Sequence, residues 1–282
     1  MATNAVEHLE SPGGDAANDA SLGGTSSDAQ SGQNVRMDNV LPFRKRGSGT
    51  SRRARQESKK LKVVAILSEQ GGHGKTTIAE NLAVQAAAEG EEVVLIDIDP
   101  QANAAKWGAR REPDEEKREA MNPKVISAQY ARLDATIRTA KKFGATFIVV
   151  DGPGHNSPAM TAAAGQADFV LVATRPETDD VGTLDLVRNV LALAGYPPAA
   201  VNFAQAPCHG EYEVEAGQVV EQRYGFSICP VVIHSRRAFA NAVLPGKSAA
   251  EIEPNGKAAE EVRELYKFVC NQLSKLRGKH ND

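Results

Sequence analysis

From residue 62 to the C-terminus the chain alternates between two hydrophobic patterns. One is the short continuous apolar run, found at 63–67, 93–98, 125–128, 147–150, 169–172, 200–205 and 231–233. Runs this short do not make a stable helix, and Val, Ile and Phe are frequent in them, so each reads as a strand buried on both faces. The other pattern spaces apolar residues three or four apart and covers 75–89, a segment ending near 142, 184–194 and 258–276; these read as helices. Strands and helices in alternation predict an α/β fold, a doubly wound, mostly parallel sheet with helices on both faces. Ligands of such sheets sit beyond the carboxyl ends of the strands. The last helix, with Val262, Leu265, Tyr266, Val269, Leu273 and Leu276 in register, is expected to dock on the sheet; an amphipathic membrane-surface helix is the alternative.

Before residue 62 the pattern is absent and charge takes over. Residues 1–40 hold six acids against Arg36, while residues 41–62 hold nine bases against Glu57. With −5 on the first segment and +8 on the second, a whole-chain charge of −3 leaves −6 for the remainder. A disordered tail over 1–61, acidic through 40 and basic from 41, is expected to precede one domain at 62–278. The acidic body repels phosphate, so attraction to nucleic acid must come from the basic stretch, with Arg52, Arg53 and Arg55 at its centre, or from a local patch.

Composition narrows the class further. At 282 residues with 41% hydrophobic, the chain can build one sizeable core. It holds no apolar run of about eighteen residues and no charged-then-apolar leader pattern, so a soluble, cytoplasmic protein is expected and a membrane partner is not. Cys208, Cys229 and Cys270 are scattered and odd in number; they read as buried free thiols rather than a disulfide or metal framework. Trp107 and the Arg-, Glu- and Lys-rich segment 109–122 read as a solvated connection or a partner surface.

The chemistry lies at the predicted strand ends. After the first strand comes Ser68-Glu-Gln-Gly-Gly-His-Gly-Lys-Thr-Thr77, which opens an Ala-rich helix. Glycines turn backbone N–H groups toward phosphate oxygens, Lys75 adds a point charge, and the Thr76 hydroxyl is suited to Mg2+. The common GxxxxGKS/T loop has glycine where this chain has Glu69, and glycines stand instead at 71, 72 and 74. The second strand ends in Asp97 and Asp99, one suited to the metal and the other to an attacking water. The strand at 147–150 runs into Asp151 and a Gly-Pro-Gly loop, a Walker B pattern. Taken alone each acid reads equally as a helix cap or surface charge; the upstream glycine loop selects the phosphate reading. His73, His155 and His234 lie near these loops, but phosphoryl transfer needs positioning and charge more than a strong base.

With these motifs the chain resembles the ParA/MinD family of deviant-Walker ATPases over about residues 62–276, and within it the ParA-type plasmid and chromosome partition ATPases. The resemblance rests on Gly71-Gly-His-Gly-Lys-Thr-Thr77, Ile96-Asp-Ile-Asp-Pro-Gln-Ala-Asn103, Val150-Asp-Gly-Pro153 and Arg236-Arg-Ala-Phe-Ala-Asn-Ala with the following Gly246-Lys-Ser. It implies a P-loop NTPase-type sheet, ATP and Mg2+ as cofactors, a sandwich homodimer formed with ATP, non-specific DNA binding on the nucleoid, and slow hydrolysis stimulated by a ParB-like, cargo-bound partner. By position, Gln70, Gly71, Gly72, His73, Gly74, Lys75, Thr76 and Thr77 would hold the nucleotide. Thr76, Asp97 and Asp151 would serve the metal, Lys75, Asp99 and Asp151 catalysis, and Arg236 and Arg237 DNA, a solvated helix start being the alternative for the last two.

Two positions depart from the family pattern. Members usually carry a lysine that reaches the partner's phosphates where this chain has Gln70, and loss of a charge supplied in trans costs about 10³ to 10⁵ in rate. Ala204 stands where relatives often carry a base-contacting asparagine. The alternatives are therefore a weakly hydrolysing, nucleotide-gated binding module and a MinD-like positioning ATPase held by membrane or scaffold. Nitrogenase-type relatives are disfavoured because no suitably placed cysteine pair follows the motifs.

Overall fold

The computed structural model describes residues 60–155, 157–209 and 212–278. The expected tail lies outside the described residues except for its last two positions, as do Arg52, Arg53 and Arg55.

The first half runs β1 (Lys62–Leu67), α1 (Lys75–Ala88), β2 (Val93–Asp97), α2 (Asn103–Arg111), α3 (Glu115–Glu119), β3 (Lys124–Ser127), α4 (Leu133–Lys142) and β4 (Phe147–Asp151). The second half runs α5 (Pro158–Gln166), β5 (Phe169–Thr174), α6 (Thr178–Val181), α7 (Leu184–Leu193), β6 (Ala199–Ala206), α8 (Tyr212–Val219), β7 (Ser227–Ile228), β8 (Ile233–His234), α9 (Arg237–Val243), α10 (Ala249–Ile252) and α11 (Lys257–Gly278). The strands form one sheet in the order β3-β2-β4-β1-β5-β6-β7, with β8 also paired to β6, and every pairing is parallel. This is the doubly wound architecture expected from the apolar runs.

Alternate strand residues feed two separate cores. Val63, Ala65 and Leu67 pack on one face with Leu133, Met160 and Val187, whereas Val64 and Ile66 pack on the other with Ile78, Leu82 and Leu265. Burial of both faces explains why the strands are continuous apolar runs rather than alternating ones. Helix α11 lies on the second face through Ala258, Val262, Leu265, Val269 and Leu273. Its Tyr266 and Phe268 rings meet Phe147 and Phe169 at centroid distances of 6.0 and 6.2 Å. Its apolar stripe is thereby spent on the sheet, as expected, and among the described residues no helix is long and apolar enough to cross a membrane.

Two expectations need correction. Trp107 is not part of a solvated connection: it is fully buried in α2, and its indole N–H donates to the Lys247 carbonyl at 3.0 Å. Arg111 stacks on that ring at 4.8 Å and holds Glu251 through two 2.8 Å hydrogen bonds, so α2 is clamped to α10. The apolar payload of one large ring outweighs the polar residues around it. The cysteines are all free, but only Cys229 is buried; Cys208 is exposed and Cys270 half-buried.

Topology places the chemistry. Because β4 inserts between β1 and β2, Asp151 lies in register with Ile66 on one side and with Asp97 on the other. The glycine loop leaving β1 and both acids therefore converge at one carboxyl edge of the sheet.

Candidate functional site

The turn from β1 into α1 is built by glycines in the left-handed region, Gly72 at φ 83° and Gly74 at φ 76°, where an L side chain is strained. Gly74 immediately precedes α1, so the unsatisfied N–H groups of the first helical turn open into the loop. A third glycine closes the cradle from the loop after β4: a Cβ on Gly154 would lie 2.9 Å from Lys75 Nζ and 3.0 Å from the Gly71 Cα. Lys75 is only 6% exposed, and burial lowers its pKa, partly opposed by Asp151 and Asp99.

His73 is a strut. Its Nδ1 lies 3.1 Å from Ser68 Oγ and its Nε2 3.1 Å from Asp180 Oδ1. Burial pulls its pKa below the usual value, against the pull of Asp180, so charging the ring is disfavoured where it supports the loop. Ser68 also donates to the Gln70 carbonyl at 3.0 Å, fixing the Gln70 backbone while the residue itself is exposed at the mouth.

Beyond Lys75, the Thr76 hydroxyl donates to Asp151 Oδ2 at 2.8 Å. Asp151 is fully buried and its Oδ1 has no hydrogen-bond partner. Burial, with Asp97 next in weight, pushes its pKa up to about 7. Asp97 is likewise buried and raised by burial, but its oxygens each accept a backbone N–H, from Asp99 at 3.0 Å and Ala105 at 2.9 Å. Asp99, half-exposed, accepts from the Gln101 N–H at 2.8 Å. An orphaned carboxylate oxygen beside a threonine hydroxyl, with a second carboxylate behind it, is an oxygen-only donor set that fits a hard divalent cation. The glycine cradle and buried lysine fit the phosphates the cation would accompany.

Sequence reading missed two residues here. Glu80 lies one turn along α1, 6% exposed, on a helix whose neighbours Ile78, Ala79, Leu82 and Ala83 are core. Burial, followed by Asp151, raises its pKa to about 9; a lone acid amid apolar helix positions was the available signal. Arg175, just past β5, donates through Nη2 to Gln205 Oε1 at 3.0 Å and to the Gly72 carbonyl at 3.3 Å. No local motif marks it.

On the β6 side a cleft opens beside Gly74 and Thr77, bounded by Ala204, Gln205, Arg236 and Phe239. Arg236 is held there by Glu261, Nε to Oε1 at 2.8 Å, and His234 Nδ1 meets the same oxygen at 2.7 Å. Arg236 is thus half-buried and paired beside the cleft, whereas Arg237 is exposed at the start of α9. His155 is exposed in the loop after Gly154. The structure therefore gathers 70–77, 97, 99 and 151 into one site and sets 236 at its flank.

Residues 64–267 match the CobQ/CobB/MinD/ParA nucleotide binding domain. Maintenance of carboxysome distribution protein A of Gloeobacter kilaueensis is 30% identical over 216 residues, covering 76% of this chain and 94% of that protein. The chromosome-partitioning ATPase Soj of Thermus thermophilus is 30% identical over 247 residues, covering 76% of this chain and 97% of that one. Among solved structures, the septum site-determining protein MinD of Pyrococcus horikoshii, complexed with Mg-ADP, gives a TM-score of 0.60 at 21% identity, covering 74% of this chain and 96% of that one. At that identity the likeness is one of fold.

Proposed function

We propose, because the chain belongs to the CobQ/CobB/MinD/ParA family of nucleotide-binding domains, that it is a partition-type ATPase. In this reading it binds ATP with Mg2+, dimerises, grips DNA without sequence preference and positions a plasmid or chromosomal cargo. The observation that carries it is the Thr76–Asp151 pair, its carboxylate buried with one oxygen orphaned, set beside Lys75 in the glycine cradle. The P. horikoshii relative's Mg-ADP supports the same choice of cofactor.

Each residue has a distinct task. The loop N–H groups from 71 to 77 and the Lys75 ammonium bind the phosphates, and Thr76 Oγ1 with Asp151 Oδ1 holds the cation while Asp97 backs it. Mg2+, when bound, neutralises phosphate charge and polarises the terminal phosphoryl group. Asp99, at the exposed rim, orients the attacking water. Arg237 and the basic stretch with Arg52, Arg53 and Arg55 supply the DNA contacts, and a ParB-like cargo-bound protein stimulates turnover. Gln70 at the mouth brings no charge, so unstimulated hydrolysis is slow.

A second reading is favoured by the 30% identity to a carboxysome distribution protein across nearly its whole length: the cargo is a protein body rather than DNA, with the nucleoid as track. A nucleotide series tests the shared core. Mass by light scattering and DNA binding are measured with no nucleotide, ADP and ATP; dimers and DNA binding confined to ATP are expected, and indifference to nucleotide would sink both readings.

A further inference from the structure

The glycine loop is short of positive charge. Of residues 68–77 only Lys75 is cationic, and burial works against its charge. Burial disfavours a charge on His73, and Asp97, Asp99 and Asp151 line the same edge. A nucleoside triphosphate adds several more negative charges. A guanidinium keeps its charge in any such setting and matches phosphate oxygens with two parallel donors.

Arg175 is placed to meet that need and is poorly satisfied where it rests. Its Nη2 touches the loop itself, at the Gly72 carbonyl, and lies 3.9 Å from where a Gly72 Cβ would stand. Its Nε is buried without a hydrogen-bond partner, a costly condition for a charged group. The oxygen that holds it belongs to Gln205, whose backbone is in the left-handed region at φ 52°, unusual for a residue other than glycine. A guanidinium with its Nε–H orphaned, latched by a strained residue against a phosphate cradle, is a group waiting for a stronger acceptor.

We propose that Arg175 is a phosphate-binding residue: when a nucleotide enters the loop, its guanidinium leaves Gln205 and the Gly72 carbonyl and pairs with the terminal phosphate of the triphosphate in the same chain. This rests on the loop binding nucleotide, as proposed above. The contact distinguishes triphosphate from diphosphate, and it supplies within one chain a cation that Gln70 does not.

The test is a calorimetric titration of Mg-ATP and Mg-ADP into the full chain, kept dilute enough to be monomeric by light scattering, as wild type, Arg175→Gln and Arg175→Lys. Glutamine keeps an amide donor for the Gly72 carbonyl but removes the charge. For Arg175→Gln, ATP affinity is expected to fall by roughly 10- to 100-fold and ADP affinity by less than about threefold, the size of a lost charge-assisted hydrogen bond. Arg175→Lys should recover part of the ATP preference, and it carries the test if the glutamine variant fails to fold by circular dichroism. Unchanged ATP affinity, or equal losses for ATP and ADP as a loop brace would give, overturns the proposal. Wild-type protein that binds neither nucleotide overturns instead the reading on which it rests.

Discussion

The two flanks of the glycine loop solve opposite problems. On the β4 and β2 side, Asp151, Asp97 and Glu80 are buried acids whose pKa values are pushed up first by burial and then by neighbouring carboxylates. On the β5 and β6 side, cations are kept in check by acceptors, Arg175 by Gln205 and Gly72, Arg236 by Glu261. The first flank is a rigid hole in the charge distribution that a cation fills; the second is a set of side chains that can let go of one partner for another. On the proposed reading, the buried acids mark where the cation would sit, and the paired, half-buried cations mark where side chains would respond to the ligand.

Changes at the centre of the acidic flank should have the largest effect. Lys75→Ala is expected to weaken Mg-ATP binding by about 100-fold or more, since it removes a buried charge-assisted contact to phosphate; equilibrium binding with a fluorescent ATP analogue measures it. Asp99→Ala should leave that affinity within a few-fold and reduce steady-state turnover by roughly 10²-fold, the scale of a lost positioning or general-base group. If both variants lose affinity alike, Asp99 belongs to the binding surface and not to the water. Next comes Gly154→Ala, whose new methyl would press on Lys75 Nζ and on the Gly71 backbone; a roughly tenfold loss of ATP affinity is expected, with little change in thermal stability.

The acids also give the nucleotide-free protein a pH signature. Folded Glu80 and Asp151 keep their protons to about 9 and about 7, whereas the unfolded chain releases them near 4.5 and 3.8. The native state thus binds more protons across that window, and these two groups make stability fall as pH rises from about 4 toward 9. Glu80→Gln removes the larger share. It should stabilise the protein by about 1 to 3 kcal/mol at pH 8 and by little at pH 4, read from urea unfolding at the two pH values. Effects on DNA binding should be smallest. Arg237→Ala is expected to weaken DNA binding only a few-fold, whereas deleting residues 41–61 should flatten the salt dependence of DNA affinity, by about 0.9 in slope for every phosphate the stretch neutralises. An unchanged slope would remove the basic stretch from the DNA-binding surface.

The same contrast governs what could be read from sequence. Strands β1, β2, β4 and β5 were legible to within two residues because burial on both faces leaves an unbroken apolar run. Helix α2 was not, because Ala104, Trp107 and Gly108 alone are buried in it while Arg110 and Arg111 make it look solvated. Helix α5, Pro158–Gln166, is largely alanine, glycine and small polar residues, so it shows no clear amphipathic period. Within the site, the loop and the acids at 97, 99 and 151 announce themselves through local order along the chain. Glu80 shows only as a lone acid amid apolar helix positions, and Arg175 not at all, since the groups that surround them come from β4 and β2 for one and from β6 and the loop for the other.

The acidic flank as a magnesium site is tested most directly by measuring ATP affinity with Mg2+ and with EDTA, in wild type and in Asp151→Asn. In wild type Mg2+ should tighten ATP binding by at least about tenfold; in Asp151→Asn, which keeps the shape and an acceptor for Thr76, most of that gain should vanish. An equal magnesium gain in both proteins would contradict the assignment of Asp151 to the metal.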